Sequence, residues 1–119
     1  MQLQKVDIVK NTTLQYLSHE LLFLAQSGQP YRGSVYINFL SIGETFNLLD
    51  FKKYITSLRD KKYNAEDIAY EIFATITKSI ETQDLGVVVD LTARGGIQQR
   101  ISYGAEFSVI QKENIFQVR

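Results

Sequence analysis

The chain has no cysteine among its 119 residues. Disulfide frameworks, thiolate metal sites and thiol nucleophiles are therefore excluded, and the count gives no indication of a secreted protein. Histidine is almost as scarce, with His19 alone in the sequence. One histidine without cysteine cannot complete the usual tetrahedral zinc sets, so we predict no metal site.

The chain also lacks an excess of charge and any long apolar run. Its 13 lysine and arginine residues balance 13 aspartate and glutamate residues, which argues against bare duplex nucleic acid as a partner. No apolar stretch approaches the roughly 20 residues of a membrane span. The first residues lack the basic start and apolar core of a signal peptide. We expect a soluble, cytoplasmic protein that has no membrane partner.

What is present is the composition of an ordinary globular protein. The chain is 45% hydrophobic and 22% charged, with one proline and no repeat or low-complexity tract. A chain of this length buries about two-thirds of its unfolded surface and needs no disulfide or metal to stabilise it. We expect a single domain over residues 1–119.

Three segments alternate between apolar and polar residues or are rich in β-branched residues, as strands are. Residues 34–40 alternate with period 2, and residues 87–91 read as a buried strand. Residues 101–109 alternate again and predict a long strand with one apolar face. The N-terminal third is ambiguous: residues 3–8 suggest a short strand, and residues 14–25 fit a helix or a strand, with strand favoured for the last six.

Two segments between these strands have helical spacing. Asn47, with Asp50 three positions on, resembles a capping box and predicts a helix over about 48–60 whose apolar stripe begins at Leu48. Asn64 repeats the N-cap and predicts a second helix over about 65–81.

The summed order is strand, strand, helix, helix, strand, strand. It predicts an α+β protein with an antiparallel four-stranded sheet and two helices on one face. Both sheet edges then stay open, and an edge strand over 101–109 without proline favours pairing with another subunit. We therefore expect a homo-oligomer.

Four segments of the chain, in this order and spacing, are similar to segments of one enzyme family: residues 27–39, 52–60, 64–68 and 91–97. The last, Leu-Thr-Ala-Arg-Gly-Gly-Ile, is similar to a Thr-Pro-Arg-Gly-Gly-Ile turn. Together they resemble the NADPH-dependent 7-cyano-7-deazaguanine reductases of the queuosine pathway. The resemblance implies the tunnelling fold, a ββααββ unit that assembles into barrel-like oligomers and binds a purine- or pterin-like base at a subunit interface.

The chain departs from this family at the reacting residues. The position of the cysteine that forms a thioimide with the nitrile falls on Leu24 or Ala25, and that of the acidic aspartate falls on Tyr31. The segment linked to NADPH use reads Asn-Leu-Leu-Asp over 47–50, so no NADPH cofactor is predicted. The related archaeosine-forming amidinotransferases, which a Phe-Lys-Lys run at 51–53 also resembles, use the same cysteine. The resemblance thus implies a member that has lost thioimide chemistry.

The resemblance implies that base recognition is retained although the reacting residues are lost. Glu66 falls on the glutamate that holds the N1/N2 edge of the base, where a carboxylate accepts two parallel N–H bonds. Alternatively, Glu66 and Asp67 only stabilise the start of a helix through its dipole. Arg94, Gly95 and Gly96 form either an anion-binding turn or a plain glycine hairpin turn with a solvated arginine.

The remaining candidates are weaker. His19 is a candidate general base and Tyr31 a candidate proton donor, although residues in such positions more often have a packing or surface role. Four lysines form either a basic stripe for transfer RNA or a solvated helix face: Lys52, Lys53, Lys61 and Lys62. Besides base binding, two other functions stay open: a non-catalytic structural or regulatory subunit, and a different enzyme on the same scaffold.

Overall fold

The computed structural model describes residues 2–109, and its main sheet and two helices follow the predicted order of elements, with two further short strands. The strands and helices are β1 (Lys5–Asp7), β2 (Thr13–Leu24), β3 (Pro30–Ser41), β4 (Glu44–Phe46), α1 (Leu48–Ser57), α2 (Ile68–Ser79), β5 (Thr82–Arg94) and β6 (Ile97–Gly104). Strands β2, β3, β5 and β6 form an antiparallel sheet in the order β2-β3-β5-β6, and β1 pairs with β4 beside it. The main sheet with its two helices is therefore a ββααββ unit.

Both helices pack on the same face of this sheet. Alternate residues of β3 and β5 point toward them and are buried: Val35, Ile37, Phe39, Val87, Val89 and Leu91. From the helices, Ile55, Ile72 and Ile76 complete the same cluster. Burial of each such side chain stabilises the fold by about 1.5–3 kcal/mol, so the period-2 pattern selects which sheet face the helices cover.

The first helix begins where the sequence predicts. The Asn47 side-chain oxygen accepts a hydrogen bond from the Asp50 backbone N–H at 3.0 Å, and a 3₁₀ turn over Leu58–Asp60 extends the helix to its predicted end. The capping box is not reciprocal, because the Asp50 carboxylate accepts from the backbone N–H of Gln4 at 2.9 Å. The prediction that Leu48 joins the apolar stripe is wrong: this side chain is 63% exposed.

The second helical segment begins at the predicted residue, but its first turn is a 3₁₀ turn. The prediction that Asn64 caps it is wrong, because the Asn64 amide donates to the Asp67 carboxylate at 3.4 Å and no side-chain bond to the backbone forms. Residues Ala65–Asp67 instead form one 3₁₀ turn, and the α-helix runs from Ile68 to Ser79. Neither helix in the described part of the chain is long and apolar enough to cross a membrane.

The two outer strands of the main sheet differ most from expectation. The ambiguous segment forms one long strand, β2, with an irregularity between Ser18 and Leu21, so the strand preference holds over more residues than predicted. The prediction of a strand over 101–109 is wrong in both bounds, since β6 ends at Gly104. Gly104 has a φ of +90°, a left-handed conformation that interrupts the extended backbone of the strand.

Candidate functional site

The connection between the two helices crosses one end of the main sheet. The Leu24 backbone N–H donates to the Lys61 carbonyl at 2.9 Å, and its carbonyl accepts from the Tyr63 N–H at 2.9 Å. This pairing holds the chain against the end of β2, immediately before the 3₁₀ turn over Ala65–Asp67. The same sheet end holds the start of β3, the end of β5 and the start of β6.

The positions on which the sequence resemblance places the family's cysteine and aspartate lie at this end. Leu24 pairs with Pro30 in the β2–β3 hairpin, and the Ala25 N–H donates to the Gln29 carbonyl at 2.8 Å to close its turn. Tyr31 follows directly in β3. The fold brings these positions together, but alkyl groups and a phenol stand where a thiolate and a carboxyl are needed.

Tyr31 and Arg94, two of the predicted site residues, are in contact. The Arg94 guanidinium carbon lies 4.6 Å from the centre of the Tyr31 ring, and this ring also stacks on Phe23 with centroids 5.1 Å apart. Arg94 also donates a hydrogen bond to the Gln29 side-chain carbonyl. Within residues 2–109 it has no carboxylate partner. The guanidinium is therefore held in place while its charge stays uncompensated.

Gly95 and Gly96 form the two-residue loop between the paired residues Arg94 and Ile97. Their φ angles are +59° and +79°, as a type I′ hairpin turn requires at both positions. Glycine is thus needed here for turn geometry, which accounts for the motif without a ligand. Anion binding at this turn stays a prediction.

Glu66 lies on the 3₁₀ turn that precedes α2, and its side chain is exposed. Its Oε2 accepts a hydrogen bond from Nε2 of Gln99 on β6 at 3.0 Å. No second partner of this carboxylate occurs in the described part of the chain. Sequence reasoning missed Gln99, because only strand register and the path of residues 61–67 bring it beside Glu66.

His19 lies elsewhere. It falls in the irregular part of β2, and its Nδ1 lies 2.7 Å from the Ser34 hydroxyl. Ser34 and Tyr31 are three residues apart in β3, so their side chains point to opposite faces of the sheet. The structure therefore does not bring His19 and Tyr31 into one site.

A cluster of polar side chains that sequence reasoning also missed lies beside Ser34 on the open face, the face of the main sheet that the helices do not cover. Asp90 is the cross-strand neighbour of Ser34, and its carboxylate accepts from Arg100 at 2.9 Å and from Gln98 at 3.0 Å. Asp90, Gln98 and His19 border a shallow groove of about 210 Å³. The charges in this group compensate each other, unlike that of Arg94.

The other candidate features add no site chemistry. The four lysines proposed for transfer RNA are all exposed, and their role stays a prediction. Among residues 2–109 no group of three metal-ligating side chains could hold an ion. At the sheet end described above, the Tyr63 ring packs edge-on against Phe23. Burial and the Glu71 carboxylate raise the pKa of Tyr63, so its hydroxyl is protonated at neutral pH.

This arrangement of strands and helices is that of a known structural class. The structure matches the apo crystal structure of the archaeosine synthase QueF-Like with a TM-score of 0.68, covering 79% of this chain and 91% of that chain. The sequence identity is 15%, so the likeness concerns the fold. It confirms the α+β tunnelling fold implied by the sequence resemblance.

The sequence model of the QueF-like protein family matches residues 30–108, which is more than half of the chain. The protein therefore belongs to the QueF-like family. Two similar relatives are NADPH-dependent 7-cyano-7-deazaguanine reductases, 32% identical in Wolinella succinogenes and 26% identical in Sulfurimonas denitrificans, each over 72 residues. Each match covers 60% of this chain and 58% of the relative, so the chain matches little more than half of those proteins.

Proposed function

We propose that this protein binds a guanine-type base of 7-deazaguanine metabolism through the Glu66 carboxylate and performs no thioimide chemistry. The observation that supports this most directly is the exposed carboxylate of Glu66, which Gln99 holds at the sheet end where the family's reacting positions meet. A guanine-type edge presents N1–H and N2–H donors side by side, and a carboxylate accepts both with charge-assisted bonds. Adenine lacks this pair of donors and is excluded.

The residues around this carboxylate support binding without the nitrile chemistry of the reductase relatives. No thiol exists in the chain to add to a nitrile, and Tyr31 lies where an acidic carboxyl would serve. Arg94 lies at the same end of the sheet with no carboxylate partner among the described residues, which suits an anionic substituent on the ligand. We therefore assign this protein base recognition and no NADPH-dependent reduction.

The proposal includes assembly into a homo-oligomer with the base at a subunit interface. Strand β6, which carries Gln99, is an edge of the main sheet. Its Ile97 is 70% exposed and its Tyr103 44% exposed, so the edge beside Glu66 offers apolar surface as well as unpaired backbone groups. Light scattering during size-exclusion chromatography tests this part: a monomer at all concentrations contradicts it.

The decisive experiment measures base binding by calorimetry in matched variants. Glu66→Gln keeps the side-chain length and removes the charge, while Asp67→Asn makes the same change on the next residue, which bonds to Asn64. We expect 7-deazaguanine to bind the unaltered protein and Asp67→Asn alike, and Glu66→Gln to bind about 10- to 100-fold more weakly. Equal affinity in Glu66→Gln, or no binding of any purine or pterin base, contradicts the proposal.

A further inference from the structure

Two adjacent glutamines of β6 point to opposite faces of the sheet and hold different carboxylates. The Gln98 amide donates to Asp90 on the open face at 3.0 Å, whereas the Gln99 amide donates to Glu66 on the helix-covered face at 3.0 Å. Their register agrees with this division. Gln99 pairs with the buried Leu91, one position before the pair formed by Arg100 and Asp90.

The contact with Glu66 fixes how the Gln99 amide is oriented. An ionised carboxylate only accepts hydrogen bonds, so the amide nitrogen must face it and the carbonyl oxygen Oε1 must lie on the other side. In the described residues this oxygen accepts no hydrogen bond. Because Gln99 is half-buried, its amide is more confined than that of the exposed Gln98.

We propose that Gln99 determines the specificity of the Glu66 site for a base with an exocyclic amine, an inference that rests on the proposed function. The Glu66 carboxylate accepts N1–H and one hydrogen of the 2-amino group. The second hydrogen of that amine is donated to the Gln99 carbonyl, which lies in the same planar amide as the nitrogen bound to Glu66. The pair therefore presents acceptors for three donors, which matches the edge of a guanine-type base. A hypoxanthine-type base offers only N1–H and leaves two of these acceptors unused, one on Glu66 and one on Gln99.

The test compares two probes that differ only in the amine, 7-deazaguanine and 7-deazahypoxanthine, in the full chain. We expect Gln99→Ala to lower the affinity for 7-deazaguanine about 5- to 10-fold, which is the effect of one neutral hydrogen bond. The affinity for 7-deazahypoxanthine should change less than about 2-fold. Gln98→Ala is the matched control and should leave both affinities unchanged, because its amide bonds to Asp90 on the other face.

Each other outcome has one interpretation. An equal loss for both bases in Gln99→Ala means that Gln99 only holds the carboxylate, and overturns its role in specificity. No loss for either base overturns the proposal as well. Glu66→Gln distinguishes a failure of the proposed function from a failure of the inference on Gln99. If Glu66→Gln loses affinity for both bases while Gln99→Ala loses affinity for neither, the proposed base binding is supported and the role of Gln99 is wrong. Unchanged binding in Glu66→Gln overturns both proposals.

Discussion

The guanidinium of Arg94 lies over the ring of Tyr31, with 4.6 Å between its central carbon and the ring centre. These residues are 63 positions apart in the chain and meet because β3 and β5 are neighbours in the sheet. The Tyr31 ring also stacks on Phe23. The residue on which the sequence resemblance places the family's aspartate therefore contacts a cation in this structure.

We expect this contact to contribute a coupling energy of about 0.5–1 kcal/mol to the free energy of unfolding, as cation–π pairs near the surface do. A double-mutant cycle of Tyr31→Leu and Arg94→Met, measured by urea unfolding, isolates it from the stacking of Tyr31 on Phe23. Tyr31→Phe keeps the ring and should retain most of the coupling. A coupling energy indistinguishable from zero would show that the two side chains are merely adjacent.

Gly33 should tolerate no side chain. A Cβ at this position would lie 2.3 Å from the carbonyl oxygen of Asp90, in the backbone of the neighbouring strand, which cannot move without disturbing the sheet. We expect Gly33→Ala to lower the free energy of unfolding by at least about 2 kcal/mol. Gly28→Ala is the control: at φ +91° with no atom nearby it should lose about 1 kcal/mol from backbone strain alone. Similar losses for the two variants would contradict the close approach of β3 and β5.

The two asparagines that precede the helices should differ in their effect on stability. Asn47→Ala removes a side-chain bond to a helix N–H and should cost about 1 kcal/mol. Asn64→Ala removes only a long, exposed contact with Asp67, so we expect less than about 0.5 kcal/mol. Chemical denaturation of both variants checks this, and an equal or larger loss for Asn64→Ala would restore it as a true cap.

Tyr54 should make the fold sensitive to alkaline pH. Burial raises the pKa of its hydroxyl; the hydrogen bond from Thr75 opposes this rise and the Glu71 carboxylate adds to it. An unfolded tyrosine loses its proton near pH 10, while the folded protein keeps it, so this contribution to stability is complete below about pH 10 and is lost as pH rises further.

Tyr54→Phe removes this ionisation together with the bond from Thr75. The free energy of unfolding of the variant should therefore be about 1 kcal/mol lower than that of the unaltered protein at about pH 8. This gap in the free energy of unfolding should narrow toward about pH 11. Thermal unfolding across this range measures the gap. Tyr70→Phe, which alters an exposed tyrosine, serves as the matched control. A gap in Tyr54→Phe that does not change with pH would contradict the prediction.

Local sequence pattern predicts those parts of the fold that depend on neighbours in the chain. The alternation of Val35, Ile37 and Phe39 and the cap at Asn47 depend on residues within one strand or one turn, and both predictions are confirmed. The side-chain cap of the second helix was predicted wrongly, because the Asn64 amide bonds to the Asp67 carboxylate and periodicity does not show where a cap side chain points. The end of β6 was predicted wrongly because the apolar alternation continues past Gly104, where a left-handed backbone conformation interrupts the strand.

By itself the sequence determined the class of fold and the absence of a thiol, and it singled out Glu66 as the candidate base-binding carboxylate. Only the tertiary structure decided which residues are in contact. It paired Tyr31 with Arg94, placed Gln99 on Glu66 and put His19 on the opposite face of the sheet from Tyr31. The physical reason is that strand register, one irregularity in β2 and the path of the chain across the sheet end are set by packing of the whole core. Contacts between residues far apart in the chain follow from that packing, and no local period records them.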